Sequence, residues 1–307
     1  MLSAPIIVFS FNRPDHLRKT LEALSRNEGA LNSILYIYCD NARKGADPEQ
    51  VEKVAQNRLV AKSAKGFKEV HIIERESNFG LADNIINAVT EIVNKYGRVI
   101  TLEDDVVTSR GFIRYMNDAL EMYKDDEKVM HISAYMYPHK CQLPETFFYE
   151  VPYPGGGWAT WKRAWDHFDN NIDSLYAYWS SRWKEFNKYG GDYLQQQLQA
   201  NKDGTLYTWF IKWHAVILKM GGLTLYPGRS LTNNIGFDSS GSNCGTMSNF
   251  DILDPADYVE VCRIIIKEDR RAARIIHQFY YGHWYSKRYR RQFLNKIQSF
   301  FHVSNEH

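Results

Sequence analysis

Three consecutive carboxylates, Glu103-Asp104-Asp105, follow the apolar run Val99-Ile100-Thr101-Leu102, which reads as a buried strand. Side by side at a strand mouth, they repel one another unless solvated or paired. A hard cation with phosphate oxygens on its far side would relieve that repulsion. A bare acidic tripeptide equally fits a solvated surface turn. Its place at a strand end favours the binding reading, because open α/β sheets take ligands there. Three other polar residues also follow apolar runs: Arg13, Asp40 and Asn78. An arginine can grip a phosphate with two parallel bonds or stay solvated. An aspartate can accept from a base or ribose or close an Asx-turn.

The elements that must position these residues alternate. Pro5 to Phe11, Ser33 to Cys39, Val70 to Ile73 and Arg98 to Leu102 read as strands. Between them the spacing predicts helices from Pro14 or Asp15 to about Ser25, from Pro48 to about Ala64, and from Leu81 to Tyr96, with Gly97 as a stop signal. A helix over roughly Gly111 to Lys124 and a fifth strand over Val129 to Ala134 follow. This order implies a mostly parallel sheet covered by helices on both faces. Right-handed crossovers would then bring Arg13, Asp40, Asn78 and the acidic turn to one sheet edge.

The second half is less regular. Gly155-Gly156-Gly157 is no phosphate-binding P-loop, since no Gly-Lys-Ser/Thr follows. Three glycines before Trp158 either let a ligand approach the backbone or make a tight bend; a sugar-facing aromatic wall and a buried aromatic corner both fit. The pattern predicts helices at Trp161 to Asp166 and Leu206 to Met220, a short strand at Leu223 to Tyr226, a polar loop over Leu231 to Cys244, and a helical, basic chain from about Pro255. His214 reads as a packed histidine rather than a metal ligand. Lys287 to Arg291, among Tyr280, Tyr281, Trp284 and Phe293, suits an anionic membrane surface, with a plain solvated helix face the competing reading.

The 307 residues suffice for a sizeable core, and 24% charged with 44% hydrophobic residues is ordinary for a globular protein. A net charge of +2 argues against wholesale nucleic-acid binding, so no nucleic acid is expected as a partner. Cys39, Cys141, Cys244 and Cys262 form no CxxC pair, which argues against a zinc site or disulfide framework and for a reducing compartment. No apolar run approaches a membrane span, and Ile6 to Phe9 is too short for a signal segment.

In this order, strand–Arg13, strand–Asp40, Asn78-Phe79-Gly80 and Leu102-Glu103-Asp104-Asp105 resemble a GT-A glycosyltransferase, more narrowly the N-acetylglucosaminyltransferase I type with its glutamate-aspartate-aspartate form of the DxD motif. Pro154 to Trp161 resembles that family's glycine-tryptophan acceptor loop, and Leu223 to Pro227 with Asn234 to Gly241 resembles bacterial sugar transferases of the group. The resemblance covers roughly residues 4 to 245. It implies a Rossmann-like GT-A domain over 1–250, divided into a nucleotide-sugar half (1–135) and an acceptor half (136–250), with a helical basic extension over 251–307. It also implies a nucleotide-sugar donor, usually a UDP-sugar, and a divalent cation, Mn2+ or Mg2+. Carried over, Asp105 would be the metal ligand. Glu103, Asp104, Arg13, Asp40, Asn78, Gly80 and Leu81 would hold the nucleotide. Gly156, Gly157, Trp158 and Trp209 would face sugar or acceptor.

The chemistry then expected is one inverting displacement: an acceptor hydroxyl attacks the anomeric carbon while a carboxylate takes its proton. In the family that carboxylate lies at or beside a tryptophan opening a helix. The matching stretch here, Leu206-Tyr207-Thr208-Trp209-Phe210, contains no Asp or Glu. Asp203 is the nearest candidate base, Asp238 the alternative and Asp192 a third. The expected setting is bacterial surface-glycan synthesis in the cytoplasm, with a glycan or lipid-linked acceptor and the tail at the inner face of the membrane. Two rival readings are a nucleotidyltransferase, against which the glycine-free Phe11-Asn12-Arg13-Pro14 counts, and a non-catalytic nucleotide- or carbohydrate-binding module.

Overall fold

Along the first strand, side chains alternate between two cores. Ile6 and Val8 face one, Ile7 and Phe9 the other, and all four are buried. That is the mark of a strand covered on both faces. The computed structural model describes residues 3–188, 192–238, 252 and 254–279. Strands β1 (Ile6–Ser10), β2 (Ile34–Cys39), β3 (Glu69–Glu74) and β4 (Arg98–Glu103) alternate with helices α1 (Pro14–Ser25), α2 (Pro48–Lys62) and α3 (Gly80–Tyr96). These elements lie within a residue or two of their expected bounds. Proline opens α1 and α2, the Asp47 carboxylate caps α2 by accepting from Gln50 N–H at 2.7 Å, and Gly97 ends α3 in a left-handed conformation.

The chain continues through β5 (Val106–Thr108), α4 (Phe112–Met122), β6 (Val129–Ser133), β7 (Thr146–Tyr149), β8 (Trp158–Trp161), α5 (Lys162–Trp165), α6 (Ile172–Trp179), α7 (Trp183–Phe186), α8 (Tyr193–Lys202), α9 (Trp209–Lys219), β9 (Leu223–Pro227) and β10 (Thr232–Asn234). The main sheet has the order β3-β2-β1-β4-β8-β6-β9-β7, and only β8 and β7 run against the other strands. The mostly parallel α/β sheet expected from the sequence is therefore present. Helices α1 and α4 cover one face and α3, α6, α8 and α9 the other.

Three expectations change. The expected helix over Trp161 to Asp166 shortens to α5, because Trp158 to Trp161 forms β8, wedged between β4 and β6. The fifth strand in chain order is β5, not 129–134; it pairs with β10 rather than joining the main sheet. The chain after Pro255 is not helical at once. Residues 254–269 are irregular and pack on the domain, where Asp257 O accepts from Gly111 N–H and Glu268 bridges Phe148, and among the described residues after Pro255 only 270–279 are helical. This stretch is fixed by docking rather than by its own propensity: Ala256, Val261, Ala272 and Ile276 are buried in the two cores.

Two histidines lie deep in the aromatic core beside α9. His131 stacks on Trp158 and accepts from Trp213 Nε1–H at 3.2 Å; neither ring nitrogen of His214 has a hydrogen-bond partner. Burial lowers both to about 3 from the ordinary 6.5. The folded state therefore holds them neutral while the unfolded chain protonates below pH 6.5. Stability is full above that pH and falls as pH drops toward 3, by about 2 kcal/mol per histidine at pH 5. Urea unfolding at pH 7 and pH 5 is expected to show this loss, and His214→Phe to reduce it. An unchanged pH slope in that variant would remove His214 from the account.

Candidate active site

The acidic turn joins two sheets. β4 ends at Glu103, Asp104-Asp105 make the turn, and β5 leaves the main sheet to pair with β10. Its backbone is clamped from both sides. Thr20 Oγ1–H of α1 donates to Asp104 O at 2.8 Å, and Ile235 N–H donates to Asp105 O at 2.8 Å. Asp104 and Asp105 are each only 3% exposed, so solvent does not relieve their repulsion. Arg13, between β1 and α1, does: its guanidinium donates to Asp104 Oδ1 and, at 2.8 Å, to Asp105 Oδ2. Asn234 Nδ2–H approaches Asp105 Oδ1 at 3.4 Å.

Burial works against the Arg13 charge, but the two carboxylates outweigh it and hold its pKa above the ordinary arginine value. Burial lifts the Glu103 carboxyl well above the usual range, and the charge of Asp105 adds to the shift. Burial raises Asp104 too, and Arg13 pulls part of that shift back. One cation facing three acidic groups leaves this end of the site short of positive charge.

Asp40 at the end of β2 is 5% exposed. Its Oδ1 accepts from the backbone of Asn41 at 2.9 Å and Phe79 at 2.8 Å. Its Oδ2 accepts from Gly80 N–H at 2.9 Å and Asn78 Nδ2–H at 3.1 Å. A carboxylate offers about four acceptor positions, and here protein donors fill them. Asp40 thus fixes the loop that opens α3, and Asn78 completes it by donating to Asn41 O at 2.7 Å.

These strand ends converge on one cleft of about 280 Å³. Arg13, Asp40, Asn78, Gly80, Leu81, Glu103, Asp104 and Asp105, all expected from the sequence, line it. So do Arg43, Asn84 and Tyr207, which the sequence reading missed. Arg43 lies three residues past Asp40 in the same strand-end loop, which was an available signal. Asn84, one turn into α3, accepts from Arg75 Nε–H at 2.8 Å. Tyr207 comes from the stretch in which a base carboxylate was sought. Its hydroxyl donates to Asp83 Oδ1 at 2.7 Å, and Lys212 Nζ sits 4.2 Å from its ring centre.

The expected sugar-facing wall is a buried corner instead. Trp158 and Trp209 are 2% and 3% exposed and stack on each other with ring centres 4.9 Å apart. Gly156 and Gly157 serve packing: a Cβ at Gly156 would lie 2.2 Å from Tyr135 Cβ, and one at Gly157 3.1 Å from Phe112. These four residues face neighbouring aromatics, not the cleft. Asp203 is also elsewhere. It follows α8 and accepts from Gln199 Nε2–H at 2.8 Å, outside the cleft lining. Asp192 stands at the start of α8, also outside the lining. Asp238 is outside the lining too, but its segment reaches the acidic turn: its Oδ2 is 3.1 Å from Nε2 of His16 on α1, and two residues before it Gly236 presses against Asp105 and Arg13.

The sequence pattern of glycosyl transferase family 2 matches residues 6–138, a span that holds every residue lining the cleft except Tyr207. An alpha-1,3-mannosyl-glycoprotein 2-beta-N-acetylglucosaminyltransferase of Arabidopsis thaliana is 24% identical over 197 residues. That alignment takes in 60% of this chain but 43% of the relative, so the chain spans less than half of that protein's length. Among solved structures, galactosyltransferase LgtC, bound to donor and acceptor sugar analogues, aligns over 72% of each chain at 12% identity and a TM-score of 0.37. Mouse xyloside xylosyltransferase 1 aligns over 71% of this chain and 81% of its own at 10% identity and a TM-score of 0.34. Superpositions this loose carry no residue roles across. The matching family pattern and the curated relative are both of glycosyltransferases.

Proposed function

We propose that this protein is a glycosyltransferase, in preference to a nucleotidyltransferase or a binding module, and that it moves a hexosyl or N-acetylhexosaminyl group from a UDP-sugar to a hydroxyl of a glycan or lipid-linked acceptor, with inversion, using a divalent cation at Asp105. The observation that carries the reading is the gathering of Arg13, the Asp40-anchored loop Asn78–Leu81 and the turn Glu103–Asp105 on one cleft. In this reading Asn78 to Leu81 line the base end. Glu103 and Asp104 lie toward the ribose, and Arg13 and Arg43 offer positive charge to the diphosphate.

A hard cation suits the donor set, which is carboxylate oxygen in a pocket that already attracts a guanidinium. Among the described residues no three His, Cys, Asp or Glu side chains are placed to hold an ion by themselves. Asp105 would hold it with phosphate oxygens completing the shell, and when bound it would neutralise charge on the leaving diphosphate. The acceptor oxygen bonds to the anomeric carbon as the bond to the diphosphate breaks, and its proton passes to a carboxylate. We assign that role to Asp238 ahead of Asp203, because Gly236 ties its segment to Asp105 whereas Asp203 follows α8 with its carboxylate on Gln199.

UDP release from a panel of UDP-sugars, with and without Mn2+, tests the reading; no sugar-dependent release with any donor and acceptor would sink it. Asp238→Asn is expected to cut turnover about a hundredfold while keeping UDP affinity, and Asp203→Asn to keep both. The opposite pattern would return the role to Asp203. The proposed setting is the inner face of a bacterial plasma membrane, in surface-polysaccharide synthesis. Among the described residues no helix is long and apolar enough to cross a membrane. The basic, aromatic stretch Lys287 to Arg291, proposed to touch lipid, lies outside the described residues.

A further inference from the structure

We infer that Arg13 is a built-in counter-cation that must leave Asp105 before a divalent ion can load, so that ion and nucleoside diphosphate bind as a coupled pair. The inference rests on the proposed role of Asp105. One guanidinium nitrogen serves both Asp104 Oδ1 and Asp105 Oδ2. Gly236 crowds the same oxygen beside Arg13: even a methyl group there would stand 2.1 Å from Asp105 Oδ2 and 2.9 Å from Arg13 Nη1. Asp105 Oδ1 faces the Asn234 amide. An ion approaching Asp105 therefore meets a fixed positive charge in the position it would take. Two cations cannot share that carboxylate without strong repulsion in so buried a place.

Arg13 has somewhere to go. Its side chain lines the cleft together with the two aspartates but is more exposed, 15% against 4% and 5%. A diphosphate in the cleft would offer the planar, two-point partner that a guanidinium prefers. Moving there, Arg13 would trade carboxylate for phosphate and uncover Asp105 for the ion. Nucleotide then promotes ion binding by two routes: its own oxygens as ligands, and removal of the resident charge. By linkage, the ion promotes nucleotide binding to the same degree. Only the second route depends on Arg13, which separates this device from ordinary metal–phosphate chelation.

The test is Mn2+ binding to the full chain, followed by electron paramagnetic resonance of free Mn2+, with Mn2+ alone and with UDP. Wild type is expected to bind Mn2+ weakly alone and much more tightly with UDP. Arg13→Gln keeps a donor for the carboxylates and removes the charge. It is expected to bind Mn2+ alone about tenfold more tightly, and the gain on adding UDP is expected to shrink by a similar factor. Arg13→Gln/Asp105→Asn should lose the gain, which locates it at Asp105. If Arg13→Gln does not fold, Arg13→Met removes the charge with an unbranched side chain and should show the same gain. Unchanged or weaker Mn2+ binding without nucleotide in the charge-removing variant overturns the inference while leaving the metal site in place. Absence of Mn2+ uptake by wild type with UDP overturns the metal role of Asp105 and the inference with it.

Discussion

Asp105→Asn is expected to lower sugar transfer by about 10²- to 10³-fold, the usual scale for removing one electrostatic stabiliser of a developing charge. The substitution is nearly isosteric. The backbone of the turn stays clamped by Thr20 and Ile235, and Asp104 keeps its bond to Arg13, so the fold should persist. What is lost is an anionic oxygen facing the cleft. An amide oxygen binds a hard cation far less tightly than a carboxylate does. UDP affinity measured with and without Mn2+ should lose its metal dependence, while thermal unfolding moves little. Activity within threefold of wild type would remove Asp105 from the site.

Gly236→Ala should also lower turnover, although Gly236 has no side chain of its own to act with. Its added Cβ would lie 2.1 Å from Asp105 Oδ2, 2.8 Å from Asp105 Cγ and 2.9 Å from Arg13 Nη1. Relief must come from the carboxylate, the guanidinium or the loop. Gly236 N–H donates to Asn234 Oδ1 at 2.7 Å, and β10 is paired to β5, so the loop is the stiffer party. The carboxylate should give way, costing about 1–3 kcal/mol of local strain and about tenfold or more in turnover, because a misplaced charge near the chemistry weighs heavily. Activity assays beside circular-dichroism melting separate this from unfolding. A variant with full activity would show that the loop yields freely.

Part of this site was legible in the residues alone. Arg13, Asp40, Asn78 and the acidic turn each follow an apolar run, and a parallel sheet with right-handed crossovers leaves all such ends on one edge. Their roles were less legible than their places. Asp40 has the side chain of a ligand, yet four local donors occupy it. Trp158 and Trp209 have the composition of a sugar wall, yet they lie in the core, because an aromatic ring serves burial and stacking with the same surface.

The sequence by itself determined the alternation of strands and helices, the sheet edge that carries the polar residues, and the likeness to a glycosyltransferase. All of these follow from periodicity and order along a short stretch of chain. Only the tertiary structure decided what surrounds Asp105. Asn234 and Gly236 reach it from about 130 residues away through the β5–β10 ribbon, and Tyr207 enters the cleft because α9 packs against α3. No local pattern encodes such contacts; they depend on which faces are left to pack once the sheet has formed.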